Sequence, residues 1–134
     1  MSHILTRRRL MLTAACALLP LVATAEGPRD WSAAPWQLMM VGSPACHFCR
    51  AWEAEIGPGY ATSPAGRAAP LFHVDVDGPY PDGLALARRP WITPTFVLLR
   101  DGSEVGRVEG YVGKRHFHPV LGQVMRDAGL DPGA

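Results

Sequence analysis

The residues best suited to do chemistry in this chain are gathered in one tetrapeptide, Cys46-His47-Phe48-Cys49. Two thiols three positions apart can close a disulfide on each other or offer thiolates to a metal ion. If the tetrapeptide lies between a strand and the start of a helix, Cys46 meets the unpaired N–H groups and the positive end of the helix dipole, which favour thiolate over thiol. An ordinary cysteine has a pKa of about 8.5, and each unit of depression represents about 1.4 kcal/mol of preference for the anion. His47 adds a second favourable charge when protonated. Attack is fastest when the pKa lies near ambient pH, whereas a still lower pKa makes a better leaving group, so the pair His47-Phe48 tunes direction as well as speed. Cys49, one turn on and nearer the core, is the sulfur expected to resolve a mixed disulfide formed by Cys46.

The compartment bears on which of these chemistries applies. Residues 1–25 hold Arg7, Arg8 and Arg9, no acid, an apolar run from Leu10 to Val22 and then Ala23-Thr24-Ala25. This is the pattern of a cleaved export signal, and the 13-residue run is short of the roughly 20 needed to span a bilayer. Thr6-Arg7-Arg8-Arg9-Leu10-Met11 also fits a twin-arginine signal, so the route is either general secretion or twin-arginine export, and the expected destination is the periplasm. A lipid anchor on Cys16 is disfavoured by the six apolar residues that follow it. The chain is therefore read as a signal peptide over 1–25, a leader over 26–35 and one domain over 36–134.

Without the signal, Cys46 and Cys49 are the only cysteines left and can bridge only each other within one chain. A bridge closing so small a loop adds little to fold stability, which points to chemistry rather than stapling. Other readings stay open. Half of a zinc site is possible, but there is no second Cys pair and His47, His73, His116 and His118 are scattered; a copper-relay site and a permanently closed disulfide also remain.

Composition narrows the classes further. The chain has 134 residues, 48% hydrophobic and 19% charged, one ordinary domain's worth. A formal net charge of +1 gives no basic face for nucleic acid, and the signal takes three of the 13 basic groups and none of the 12 acidic ones. No flavin, nucleotide or haem motif is present, so the expected cofactor is none beyond the Cys46–Cys49 disulfide.

Several elements are expected to position the thiols. Trp36 to Val41 is a short apolar run ended by Gly42-Ser43-Pro44, a buried strand. From Cys46, Phe48, Trp52 and Ile56 recur at i, i+4 and i+8, a helix that Gly57-Pro58-Gly59 should stop. Residues 57–70 carry no clear signal. Leu71 to Val76 alternates as a strand, Asp77 to Gly83 reads as a loop, and Leu84 to Arg89 as a helical turn or two before Pro90. Thr95 to Leu99 is a central strand, Asp101-Gly102 a hairpin turn and Glu104 to Glu109 the return strand. Phe117, Val120, Leu121, Val124 and Ala128 outline a closing amphipathic helix with Pro119 in its first turn.

A second feature lies in Trp91-Ile92-Thr93-Pro94-Thr95, where a proline heads a central strand and so must occupy its first position. A Cys-x-x-Cys opening the first helix, a Thr-Pro some 45 residues later heading a hairpin, and a closing amphipathic helix resemble the thioredoxin superfamily over about residues 36–128. Within it, Ser43 to Cys49, the Thr-Pro-Thr-Phe-Val stretch and the Glu-Val-Gly-Arg-Val-Glu-Gly-Tyr run are similar to small exported bacterial thioredoxins, including the SoxS type associated with sulfur-oxidation gene clusters.

The resemblance implies an α/β fold, a single thioredoxin-like domain with a mixed central sheet of about four strands and helices on both faces. It implies a cis-Pro94 against the disulfide and Thr93 as the residue docking an extended substrate. It implies a thiol-disulfide oxidoreductase, a monomer, reducing a partner protein's disulfide with electrons from a membrane thiol relay. The alternative is a copper chaperone or redox-sensing regulator on the same fold. One departure stands out: ordinary thioredoxins carry a buried acid where this chain has Met40, and Glu53 or a water would have to substitute.

Overall fold

The computed structural model describes residues 29–134; the export-signal reading of 1–25 lies outside them. Four strands form one sheet: β1 (Trp36–Gly42), β2 (Leu71–Asp75), β3 (Thr95–Arg100) and β4 (Ser103–Glu109), in the order β2-β1-β3-β4. β1 runs parallel to β2 and antiparallel to β3, and β3 is antiparallel to β4. β1 and β3 are central and apolar on both faces, so Leu38, Met40, Phe96 and Leu98 point one way while Met39, Val41, Val97 and Leu99 point the other. The β3–β4 hairpin closes through Asp101 and Gly102, both at positive φ (50° and 79°), as an Asp-Gly turn of two residues requires.

The helices are α1 (His47–Glu55), α2 (Gly57–Tyr60), α3 (Pro64–Ala68) and α4 (Lys114–Asp127), and buried residues of all four belong to one cluster on the Leu38/Phe96 face. Trp52 of α1, Phe96 of β3 and Phe117 of α4 meet with ring centroids 5.2, 5.6 and 4.8 Å apart. Tilted pairs of this kind add about 0.5–1.5 kcal/mol each beyond their burial, and they fix both long helices to the sheet.

The mixed four-stranded sheet in a single domain is as expected; its second face is not. Met39, Val41, Phe72, Val74, Val97 and Leu99 are covered by irregular chain, with Trp31, Tyr80, Leu84 and Leu86 packed on them, rather than by a helix. The turn of helix expected over Leu84 to Arg89 does not form. Ala85 instead bridges Ser103 in parallel, its N–H given to Gly102 O and its carbonyl accepting from Glu104 N, and the Ala87 N–H goes to Glu104 Oε2 at 2.8 Å. Those backbone groups are already satisfied by β4, which removes the reason to coil. Trp31, read as leader, is part of the domain: its ring lies 6.1 Å from that of Phe72 and its Nε1 donates to Asp82 O at 3.0 Å.

α1 ends at Glu55, just before Gly57-Pro58-Gly59, as expected, but that tripeptide also opens the short α2, with Pro58 in its first turn, and Ser63 caps α3 by accepting from Gly66 N at 3.0 Å. α4 begins at Lys114, so Pro119 falls inside the helix, where it has no N–H to give the carbonyl of Arg115; it is exposed, and the buried stripe is Phe117, Leu121 and Met125.

Candidate functional site

The two cysteines are joined, Cys46 to Cys49, with Cα atoms 5.2 Å apart. Cys46 is the N-cap of α1: its backbone is extended (φ −77°, ψ 109°) and its Sγ accepts the N–H of Cys49 at 3.0 Å. A sulfur thus takes the role that a serine or aspartate oxygen usually has at this position. When the disulfide is opened, that N–H and the helix dipole both favour a negative sulfur there. Cys46 is 8% exposed and Cys49 6%, so the bridge reaches solvent through a small window.

Gly42, at the end of β1, passes so close to the bridge that a Cβ built on it would lie 3.3 Å from Cys49 Sγ. The β1–β3 register runs to Val41 opposite Thr95, and one step further sets Gly42 against Pro94. The Thr93–Pro94 peptide is cis, Pro94 is buried, its carbonyl accepts Gly110 N at 2.7 Å, and Thr95 Oγ1 donates to Ile92 O at 2.6 Å. The register therefore brings the Thr93-Pro94 bend to the same end of the sheet as Cys46 and Cys49.

The residues between the cysteines face outward. Phe48 is 59% exposed, and its ring meets that of His47 edge-on at 5.5 Å. The sequence pattern puts Phe48 on the buried stripe; the stripe is Cys49, Trp52 and Ile56, because Cys49 must turn inward from the cap to reach Cys46, leaving Phe48 at its edge in the first turn. Trp91, two residues before Thr93, is 75% exposed. Trp52 is fully buried beneath α1, and its Nε1 has no hydrogen-bond partner.

Met40 is buried in the cluster beneath α1. Glu53 is exposed and pairs with His73, Oε1 to Nε2 2.6 Å. A cleft of about 330 Å³ opens beside Cys49 and is lined by Met40, Gly42, Arg50, Glu53, His73 and Asp75, among others. Sequence reasoning reaches neither this cleft nor the closeness of Gly42; the exposed position of His73 in an alternating strand is the available signal. His116 is exposed, and His118 stacks on Tyr60 at 6.4 Å. Among the described residues, no group of three or more His, Cys, Asp or Glu is placed to hold a metal ion.

A charged network on β4 steadies the segment leading to Trp91 and Thr93. Arg107 forks onto Glu104 (Nε to Oε1 2.5 Å, Nη2 to Oε2 2.7 Å) and reaches Arg88 O at 2.8 Å, while Arg88 Nη2 meets Glu109 at 2.5 Å. Burial pushes the Glu104 carboxyl up, but its bonds from Arg107 and the Ala87 N–H, with the charges of Arg107 and Arg88, outweigh it and hold the group below the usual carboxylate value. At the α1 end, Tyr111 donates to Glu55 at 2.6 Å; burial, then that bond and the carboxylate charge, push its hydroxyl up to about 12.

No protein-family model matches the chain, and no curated protein does. Among solved structures it is similar to the reduced form of the periplasmic thioredoxin SoxS from Paracoccus pantotrophus. The two are 43% identical, the match covers 69% of this chain and 98% of that one, and the TM-score is 0.68. Matches to thioredoxins of Fasciola hepatica (18% identity, 70% of this chain and 82% of that one, TM-score 0.46) and Malassezia sympodialis (18%, 71% and 76%, 0.45) are weaker.

Proposed function

This chain belongs to the thioredoxin family and is a thiol-disulfide oxidoreductase, and we propose that it works in the periplasm as a reductase of a partner protein's disulfide or mixed disulfide. Cys46 Sγ at the mouth of α1, accepting the Cys49 N–H, is the observation that carries the reading. In the reduced protein the Cys46 thiolate attacks one sulfur of the partner's disulfide, forming a mixed disulfide and expelling the other sulfur as thiolate. Cys49, having lost its proton, attacks Cys46 Sγ; the intramolecular disulfide forms and the partner leaves with two reduced sulfurs.

Thr93 offers its backbone to an extended segment of the partner, Pro94 shields the bridge, and His47 and Phe48 set the poise. The electrons return from a membrane-embedded thiol relay, because no soluble thiol pool buffers the periplasm. Two observations support the compartment: the basic, apolar and small-residue pattern of residues 1–25, and the likeness to a thioredoxin of Paracoccus pantotrophus that is itself periplasmic. The likeness to that thioredoxin favours a sulfur-carrier protein of sulfur oxidation as the partner.

The test is a Cys49→Ser chain expressed in the periplasm, where Cys46 should stay covalently bound to its partner. Recovery of a sulfur-carrier protein through Cys46 bears the reading out. Recovery of many unrelated secreted proteins would replace it with general disulfide editing, and no adduct at all, with tight one-to-one Cu(I) binding by the dithiol protein, would replace it with metal carriage.

A further inference from the structure

Resolution demands something the sulfurs do not supply. For Cys49 to attack the mixed disulfide it must first lose a proton, since only the thiolate is nucleophilic. Its surroundings beneath α1, including Met40 and Trp52, are apolar and oppose a charge. The cleft of about 330 Å³ is an opening from solvent to this residue, and it is large enough for several waters, each of which takes about 30 Å³.

The ionisable groups in the lining are Arg50 and Glu53 from α1 and His73 and Asp75 from β2; β1 and the Ser43-Pro44 turn contribute none. Two of the four are engaged elsewhere: Arg50 Nη1 donates to Pro44 O at 3.1 Å, and the Asp75 carboxylate accepts Asp77 N at 2.8 Å. Glu53 lies four residues beyond Cys49, on the same side of the helix, and holds His73 Nε2 at 2.6 Å. Both members of this pair are about half exposed, so it spans the distance from the cleft to bulk solvent.

We propose that the Glu53–His73 pair takes up the Cys49 proton through water in this cleft and passes it to solvent, making the pair the proton outlet of the resolving step. The proposal rests on Cys46 as the attacking and Cys49 as the resolving sulfur. In the balance of the step, Cys49 S–H gives its proton to the pair, Cys49 S⁻ forms the bond to Cys46 Sγ, and the partner sulfur departs with the electron pair. A positioned base contributes roughly 10²- to 10⁴-fold, and competition from bulk water at so open a cleft brings the expectation to about tenfold.

The reduced chain is mixed with one equivalent of 5,5′-dithiobis(2-nitrobenzoate), and the two releases of coloured thiolate are followed by stopped flow. The first reports attack by Cys46 and the second reports resolution by Cys49. Glu53→Gln and His73→Gln should each leave the first release unchanged and slow the second about tenfold at pH 7, and the double substitution should be no slower than either. The deficit should narrow steadily as pH rises, because hydroxide increasingly takes the Cys49 proton without the pair. A second release unaltered in both variants, or slowed equally at every pH, overturns the proton outlet while leaving the sulfur roles intact. A Cys46→Ser chain whose remaining thiol gives a release as fast as the parent's first overturns the sulfur roles and the outlet together.

Discussion

Gly42→Ala isolates one contact and converts it into a redox potential. The added methyl would sit 3.3 Å from Cys49 Sγ and 3.9 Å from its Cβ. A carbon and a sulfur want a few tenths of an ångström more, so one of them must give way. In the oxidised protein this sulfur is bonded to Cys46 Sγ, which the Cys49 N–H in turn holds at the cap, leaving it little freedom. In the reduced protein the thiol can turn about its own Cα–Cβ bond. Overpacking a core commonly costs about 1–3 kcal/mol, and a single methyl this slightly crowded belongs at the low end, about 1 kcal/mol, borne by the oxidised form alone. For a two-electron couple, about 1.4 kcal/mol corresponds to 30 mV, so the potential should rise by about 20 mV, making the protein more oxidising.

Replacing glycine by alanine also restricts the unfolded chain, which stabilises by about 0.4–1 kcal/mol, but that gain is common to both redox states and cancels from the potential. The assay is equilibration in a graded dithiol-disulfide buffer with the two forms separated after acid quench, together with melting of each form. The gap in melting temperature between oxidised and reduced protein should shrink by about 5 °C, at about 1 kcal/mol per 5 °C for a domain of this size. An unchanged or lowered potential, or an equal loss of melting temperature in both forms, would refute the reasoning.

Other expectations concern the frame around the bridge. Glu104→Gln breaks a largely buried fork with Arg107 and should cost about 3 kcal/mol, the lower end for such a loss because Arg107 keeps Glu109 and Arg88 O; melting should fall by about 15 °C. Because the folded protein holds the Glu104 carboxyl below its unfolded value, this contribution is present above the ordinary carboxylate range and fades as pH drops through the folded value, so the variant and parent should converge in acid melts. The three tyrosines, Tyr60, Tyr80 and Tyr111, are all held above the ordinary value of 10, with burial the first cause in each. A phenolate absorbance titration should therefore show no midpoint at or below pH 10 in the folded protein, and a group with one would contradict the packing around these rings.

Much of the site could be read before any coordinates, because its signals are local. Cys46 as a helix start, the apolar runs of β1 and β3 and the Asp101-Gly102 turn each depend on a few neighbouring residues. What escaped depends on distant partners. Leu84 to Arg89 looks able to coil in isolation, but Glu104, far along the chain, takes the Ala87 N–H and β4 takes those around Ala85. Tyr60 is anchored by its hydroxyl donating to Ala69 O at 2.9 Å, and a Cβ on Gly66 would collide with Tyr60 O, so residues 57–70 are shaped by packing and show no periodicity. Phe48 and Cys49 are adjacent candidates for one helical stripe, and only the geometry of the bridge decides between them. The Glu53–His73 pair joins two exposed positions twenty residues apart, which no spacing rule connects.

The sulfur that caps α1 also gives the two simplest knock-outs of this protein different meanings. Serine is among the better starters of a helix and alanine among the poorer, a difference of about 1 kcal/mol, so Cys46→Ser retains the architecture at the helix mouth whereas Cys46→Ala frays it. Any blocking reagent placed on the thiol does both kinds of harm at once. Inactivation by alkylation therefore measures lost reactivity plus a loosened first turn, and only the hydroxyl replacement separates the two.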